Sequence, residues 1–163
     1  MAILQHTQKD WKYRSNLGDK GAEIVASYLR EKGTTAQLVR GTFKSCDIVS
    51  ESKGEMTTFE VKTYANAEKY NCHWIEVFRH TNEQGWHKYG LATSNADYWV
   101  FVSESKIIFV KTKTLRNCLL IHCTKESAKG SADNRPKVVY KPTLEMLEEW
   151  GKCVPNEKGL PCE

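Results

Sequence analysis

The sequence predicts an α+β domain of the α/β-sandwich type, a central mixed sheet with helices packed against it. Three observations carry that prediction: one segment with apolar residues recurring at three and four positions, several β-branched and aromatic runs with a period of two, and no internal repeat. The chain has 163 residues, 40% hydrophobic and 27% charged, enough for one apolar core without disulfide support. No window approaches the roughly 18 uncharged apolar residues of a membrane span, and the first ten residues lack the apolar segment of a secretion signal. The expected setting is the cytoplasm, with the six cysteines as reduced thiols.

Residues 1–15 mix Lys9, Trp11, Lys12, Tyr13 and Arg14 without periodicity and read as a mobile arm. From Leu17, the positions Leu17, Gly21, Ile24, Val25, Tyr28 and Leu29 trace one face of a helix over residues 17–32, with Gly33 as its C-cap. Gly18 and Gly21 are poor helix formers, so the helix start either frays or lies close against another element. The period then falls to two: residues 36–41, 46–51 and 56–64 read as strands, with Lys53-Gly54 turning the second into the third. Residues 72–79 form another strand, and 96–103 and 106–111 a hairpin joined by Glu104-Ser105. Residues 114–120 resemble helical turns, 138–140 a short strand, and 143–150 a helix with Thr143 as N-cap. Gly151, Pro155, Gly159 and Pro161 mark 151–163 as a tail, leaving residues 1–150 as the domain.

The net charge of +4 is unevenly placed. Between Lys111 and Lys141 stand Lys111, Lys113, Arg116, Lys125, Lys129, Arg135, Lys137 and Lys141 against Glu126 and Asp133 alone, so the remainder of the chain is slightly acidic. Such a stretch reads either as a solvated loop or as a footprint for a phosphate backbone, to which Lys88 would add.

The segment Thr58-Phe59-Glu60-Val61-Lys62-Thr63 holds the most informative spacing. Residues two apart on a strand emerge on one face, about 6.6–6.8 Å apart, so Glu60 and Lys62 point together while Phe59 and Val61 face a core. An antiparallel pairing with the preceding strand that sets Val49 opposite Thr58 and Glu51 opposite Met56 also brings Asp47 opposite Glu60. Two carboxylates facing each other need a positive partner. Lys62 is one candidate; a hard divalent cation is another, because Mg²⁺ or Mn²⁺ takes carboxylate and carbonyl oxygens, and such a site suits phosphodiester hydrolysis.

Glu23 in the first helix, Asp47, and Glu60-Val61-Lys62 together resemble the PD-(D/E)xK nuclease superfamily, particularly its Holliday-junction-resolvase-like and phage-encoded branches. Residues 85–99, with a glycine turn and an Ala96-Asp97-Tyr98-Trp99 run opening a strand, look like the corresponding segment of the phage members. Cys46 replaces the usual proline before Asp47, and Tyr89 stands where a small hydroxyl residue is common. The resemblance covers about residues 17–119 and implies a restriction-endonuclease-like αβββαβ core. It also implies Mg²⁺, with Mn²⁺ as substitute, on Asp47, Glu60 and the Val61 carbonyl. Lys62 would position the attacking water, with Glu23 as an auxiliary helix acid. The implied partner is DNA, branched substrates would imply a homodimer, and the setting would be a bacterial or phage-infected cell.

Other residues have plainer readings beside functional ones. Glu76, inside an apolar strand, is a site-edge acid or a polar-face residue needing a partner. Cys72-His73 and His122-Cys123 lack any C-x-x-C spacing, so buried thiols are the default over zinc. Trp74, Trp86 and Trp99 are core or a base-stacking platform. The competing function is a nucleic-acid-binding module that keeps the fold and cuts nothing.

Overall fold

A 30-residue helix, α1 (Ala2–Glu31), opens the chain. The computed structural model describes residues 2–41, 44–129 and 135–160, with side chains from residue 12 onward. The expected mobile arm is therefore helix from Ala2; the side chains of Lys9 and Trp11, with Asp133 and Cys162, lie outside the described residues. At its other end α1 stops as anticipated. Gly33 takes φ +87°, its N–H donates to Arg30 O at 2.9 Å, and the Thr34 N–H donates to Leu29 O at 3.2 Å, the paired bonds of a Schellman cap.

Among the described residues, ten strands follow in two sheets. The six-stranded sheet orders β1 (Thr35–Leu38), β2 (Ile48–Ser52), β3 (Glu55–Thr63), β6 (Tyr98–Val102), β7 (Lys106–Lys111) and β10 (Lys152–Pro155). The four-stranded sheet orders β5 (Gly85–Lys88), β4 (Ile75–Thr81), β9 (Pro136–Tyr140) and β8 (Glu126–Lys129). Two-turn and longer helices are α3 (Thr112–His122) and α4 (Leu144–Trp150); α2 (Ala67–Tyr70) is a single turn. The fold is thus the predicted mixed α+β type with a central mixed sheet, in which β3 pairs parallel with β6. The connection between those two strands is α2, the β4–β5 hairpin and a 3₁₀ turn at Gly90–Ala92, not one long helix. The expected tail is likewise corrected: β10 pairs antiparallel with β7, and Asn156 is buried with its Nδ2 donating to Ser103 O at 2.9 Å.

The central sheet is buried on both faces, which explains why β6 is apolar at every position. Val100 and Val102 pack with Ile24, Val25 and Ala26 of α1, beside Phe59 and Val61 of β3, while Trp99 and Phe101 pack with α3, α4 and the small sheet through Leu115, Leu119, Leu147 and Ile75. Each fully buried Val or Leu contributes roughly 1.5–3 kcal/mol. Trp99, 1% exposed, is core and not a stacking platform. Thr143 caps α4, accepting from the Met146 N–H at 3.2 Å.

Asp97 pins the parallel pair. Its Oδ2 accepts from Thr58 N–H at 2.8 Å and Thr58 Oγ1 lies 3.0 Å away, while the Asp97 N–H donates to that hydroxyl at 3.0 Å. Asp97→Ala removes the acceptor at an exposed position, so urea unfolding should show a loss of about 1–2 kcal/mol with an unchanged slope. An Asp97→Ala chain as stable as the parent would show that the β3–β6 register does not depend on this clamp.

Candidate active site

Strand β3 presents Glu60 and Lys62 on the face opposite α1, with Phe59 and Val61 buried toward the helix. The Lys62 ammonium donates to Glu60 Oε1 at 2.6 Å and lies 5.0 Å from the centre of the Trp99 ring. The expected hairpin register is present: Val49 faces Thr58 and Glu51 faces Met56. It shifts at the site itself. Ile48 faces Phe59, yet the Asp47 N–H donates to Phe59 O at 2.9 Å, so two residues address one in the manner of a β-bulge. Asp47 therefore does not simply oppose Glu60. The bulge re-aims its carboxylate, and Oδ2 accepts from the buried Val61 N–H at 2.7 Å, which ties Asp47 to the residue between Glu60 and Lys62.

The second oxygen of Asp47 has a partner that sequence reasoning missed. Lys44 Nζ lies 2.5 Å from Asp47 Oδ1. Burial alone would pull the Lys44 ammonium down, but the hydrogen bond and charge of Asp47, with the fields of Glu60 and Asp19, outweigh it and raise its pKa above the ordinary lysine value. Lys44 thus senses three carboxylates, and the helix acid among them is Asp19. Glu23, the acid expected from the helix, faces elsewhere: it pairs with Arg40 at 3.6 Å, and both side chains are largely exposed. A one-turn offset on α1 separates the two, which helical spacing alone cannot decide.

A cleft of about 440 Å³ opens beside Lys62, between α1, the end of β3 and the small sheet. Glu76 lies on its wall, with Oε1 2.8 Å from Lys137 Nζ and Oε2 2.9 Å from Arg79; the partner this acid requires is therefore supplied twice. A bulge in β4 between Glu76 and Phe78 leaves the Val77 carbonyl to accept the Tyr89 N–H at 3.0 Å. Gly90, at φ +57°, follows so closely that a Cβ there would meet Glu76 O at 2.5 Å.

The basic stretch is not one continuous face. Lys129 and Lys137 line the cleft. Arg116 instead fastens α3 to the 3₁₀ turn, donating to the carbonyls of Leu91 at 2.8 Å and Ser94 at 2.5 Å. With Lys88 and Lys125 it borders a second, mainly apolar pocket of about 340 Å³. Lys111 and Lys113 are exposed at the junction of β7 and α3, Lys111 level with Tyr98 and hence with Phe59. Arg135 is exposed just before β9.

His73 shows the effect of depth. It is 2% exposed, sits 5.0 Å from the Phe101 ring, and burial lowers its pKa to about 4. The unfolded chain therefore binds one more proton between about pH 6.5 and pH 4, so the stability from neutral His73 is complete above pH 6.5 and is lost as pH falls through 4. Denaturant midpoints should drop across that window by the equivalent of roughly 3 kcal/mol, and a His73→Leu chain should lack the step; an equal step in that variant would place the titration elsewhere.

The five described cysteines are free, and burial raises the thiol pKa of Cys46 and Cys123. Among the described residues no group of three or more His, Cys, Asp or Glu side chains gathers as a metal cage, and no helix is long and apolar enough to cross a membrane.

No protein-family model matches the chain, and no curated protein matches it significantly. Among solved structures it is similar to a bacterial homing endonuclease, I-Ssp6803I, at 13% identity and a TM-score of 0.46, over 86% of this chain and 76% of that one. A likeness at that level carries no functional argument.

Proposed function

We propose that this protein is a metal-dependent DNA endonuclease that hydrolyses phosphodiester bonds. The observation that carries the reading is the bond from Val61 N–H to Asp47 Oδ2 at 2.7 Å, which sets one carboxylate against the strand whose neighbouring positions are Glu60 and Lys62. Asp47, Glu60 and the Val61 carbonyl are hard oxygen donors of the kind that Mg²⁺ or Mn²⁺ takes. The two carboxylates already hold cationic partners in Lys44 and Lys62, so their negative charge suits a cation. When bound, such an ion lowers the pKa of a water and offsets charge on the phosphate.

The chain's own residues do the rest. Lys62, released from Glu60, orients the attacking water or meets the charge developing on a phosphate oxygen. The exposed cations Lys129, Lys111, Lys113 and Lys88 hold backbone phosphates without reading sequence. Branched DNA and a homodimer presenting two sites to two strands complete the reading.

A second reading, a DNA-binding module without catalysis, is favoured by the same lysines, since each carboxylate is neutralised from within. Supercoiled plasmid incubated with Mg²⁺ or with EDTA separates the two. Cutting in Mg²⁺ alone, lost in Lys62→Ala, supports the enzyme; retention of plasmid without a nick in either condition supports the module. Linear, nicked, single-stranded and four-way-junction DNA then report the substrate preference.

A further inference from the structure

We propose that the cleft beside Lys62 binds one unpaired nucleotide of the substrate, its base stacked against Trp74. The proposal rests on the endonuclease reading for its choice of DNA and deepens it, because it assigns the site to DNA with an extruded or single-stranded nucleotide next to the reacting phosphate.

Three observations converge on this cavity. The first is size: about 440 Å³ lies within the range of small-molecule sites, room for one nucleotide and too little for a base pair with both its backbones. The second is its polar lining. Among the described residues, the buried side-chain polar atoms without a hydrogen-bond partner are Tyr13 OH, Thr63 Oγ1, His73 Nε2 and Asn156 Oδ1, and the first three belong to residues that line this cleft. A buried polar group without a partner is costly, and native structures hold few of them. Thr63 Oγ1 faces Gly21 of α1, but Tyr13 OH on α1 and His73 Nε2 in the connection before β4 have no partner among the described residues and sit directly behind the cleft wall, where a base edge brings donors and acceptors of its own. The 2% exposure of His73 makes it the deepest of the three.

The third observation is the pairing of an aromatic surface with positive charge. Trp74, just before β4, is 47% exposed, whereas Trp99 of β6 is core. Trp74 lines the cleft, and the Lys141 ammonium, which also pairs with Glu126 at 3.6 Å, stands 4.4 Å from the centre of its ring. Lys62, Lys129 and Lys137 line the same cavity, where Glu76 is held by Lys137 and Arg79. Stacking ring, unpaired polar atoms and a surplus of cations are the parts of a single-strand subsite. The cleft meets the candidate active site at Lys62, so a base lodged here has its phosphate beside that ammonium.

The test is binding, measured by fluorescence anisotropy with Ca²⁺ in place of Mg²⁺. It compares a duplex carrying one unpaired nucleotide with the fully paired duplex of the same length. The bulged duplex should bind at least tenfold tighter, and a fluorescent purine analogue at the unpaired position should be quenched on binding. Trp74→Ala should erase both the preference and the quenching while holding affinity for paired DNA within about twofold. Trp74→Phe should restore most of the preference. Trp86→Ala, an exposed tryptophan on β5 outside the cleft, should change nothing. Equal affinity for the two duplexes, or a preference that survives in Trp74→Ala, overturns the subsite. Its failure is distinguishable from failure of the catalytic reading: metal-dependent cutting without bulge preference removes the subsite alone, whereas bulge preference without cutting removes the nuclease alone.

Discussion

Replacing Asp47 by asparagine should lower Mg²⁺-dependent DNA cleavage about a thousandfold or more while costing roughly 1 kcal/mol of stability. The two halves of that expectation come from the two oxygens. Asparagine keeps an acceptor for the Val61 N–H, now bonded at 2.7 Å, so the bulge and the aim of the side chain persist. What it loses is the negative charge, and with it the pairing to Lys44 and the oxygen donor proposed above for a divalent ion. Because Lys44 is about one-third exposed, its ammonium can turn to water at small cost. Asp47→Ala is the less informative variant, because it also strands the buried Val61 N–H, at about 1–3 kcal/mol. DNA binding in Ca²⁺ should remain within a few-fold in Asp47→Asn. A variant that cuts at the parental rate would end the assignment of Asp47 to the reaction and leave it a structural cap on β3.

Much of this site could be read from the chain because it rests on a strand, where the period of two fixes which residues share a face. Glu60 and Lys62 emerge together, Phe59 and Val61 turn inward, and the β2–β3 register follows from a tight two-residue turn, Lys53-Gly54 at φ +52° and +82°. The bulge at Asp47 was not readable, since a one-residue shift depends on where the carboxylate finds a donor and not on any pattern of hydrophobicity. Lys44 was missed because it lies in the connection before β2, where periodicity says nothing. The choice of Asp19 over Glu23 is a matter of how α1 crosses the sheet. Edge elements escaped for a further reason. β8 is exposed at three of its four positions and β10 likewise, so neither has an apolar alternation to betray it; β8 is held by main-chain pairing with the following strand β9 and β10 by pairing with β7, distant in sequence. The cleft inherits that difficulty, because its walls come from α1, β3 and the small sheet, which no local signal brings together.

Gly21→Ala should be strongly destabilising although alanine is the better helix former. A Cβ on residue 21 would stand 1.8 Å from Thr63 Oγ1 and 2.9 Å from Thr63 Cβ. Rotation of the threonine can move the oxygen, but Cβ is fixed to β3, so the helix itself must lift. Propensity returns about 1 kcal/mol, whereas overpacking a buried contact costs typically 1–3 kcal/mol and more when the backbone must shift; the net expectation is a loss of roughly 2 kcal/mol. Thr63→Gly in the same chain should recover at least half of it, a coupling that two independent sites would not show. The effect reaches beyond stability. Thr63 follows Lys62 directly, and Leu17, one turn before Gly21, lines the cleft, so lifting α1 moves both the lysine and the cavity beside it. At a temperature where the variant is still folded, cleavage should fall at least tenfold, in keeping with the sensitivity of such reactions to displacements near 1 Å, and the Thr63→Gly partner should return part of that rate together with the stability. Parental stability in Gly21→Ala would mean that α1 does not need the close approach, and that its position over β3 is set by the apolar contacts of Ile24, Val25 and Ala26 alone.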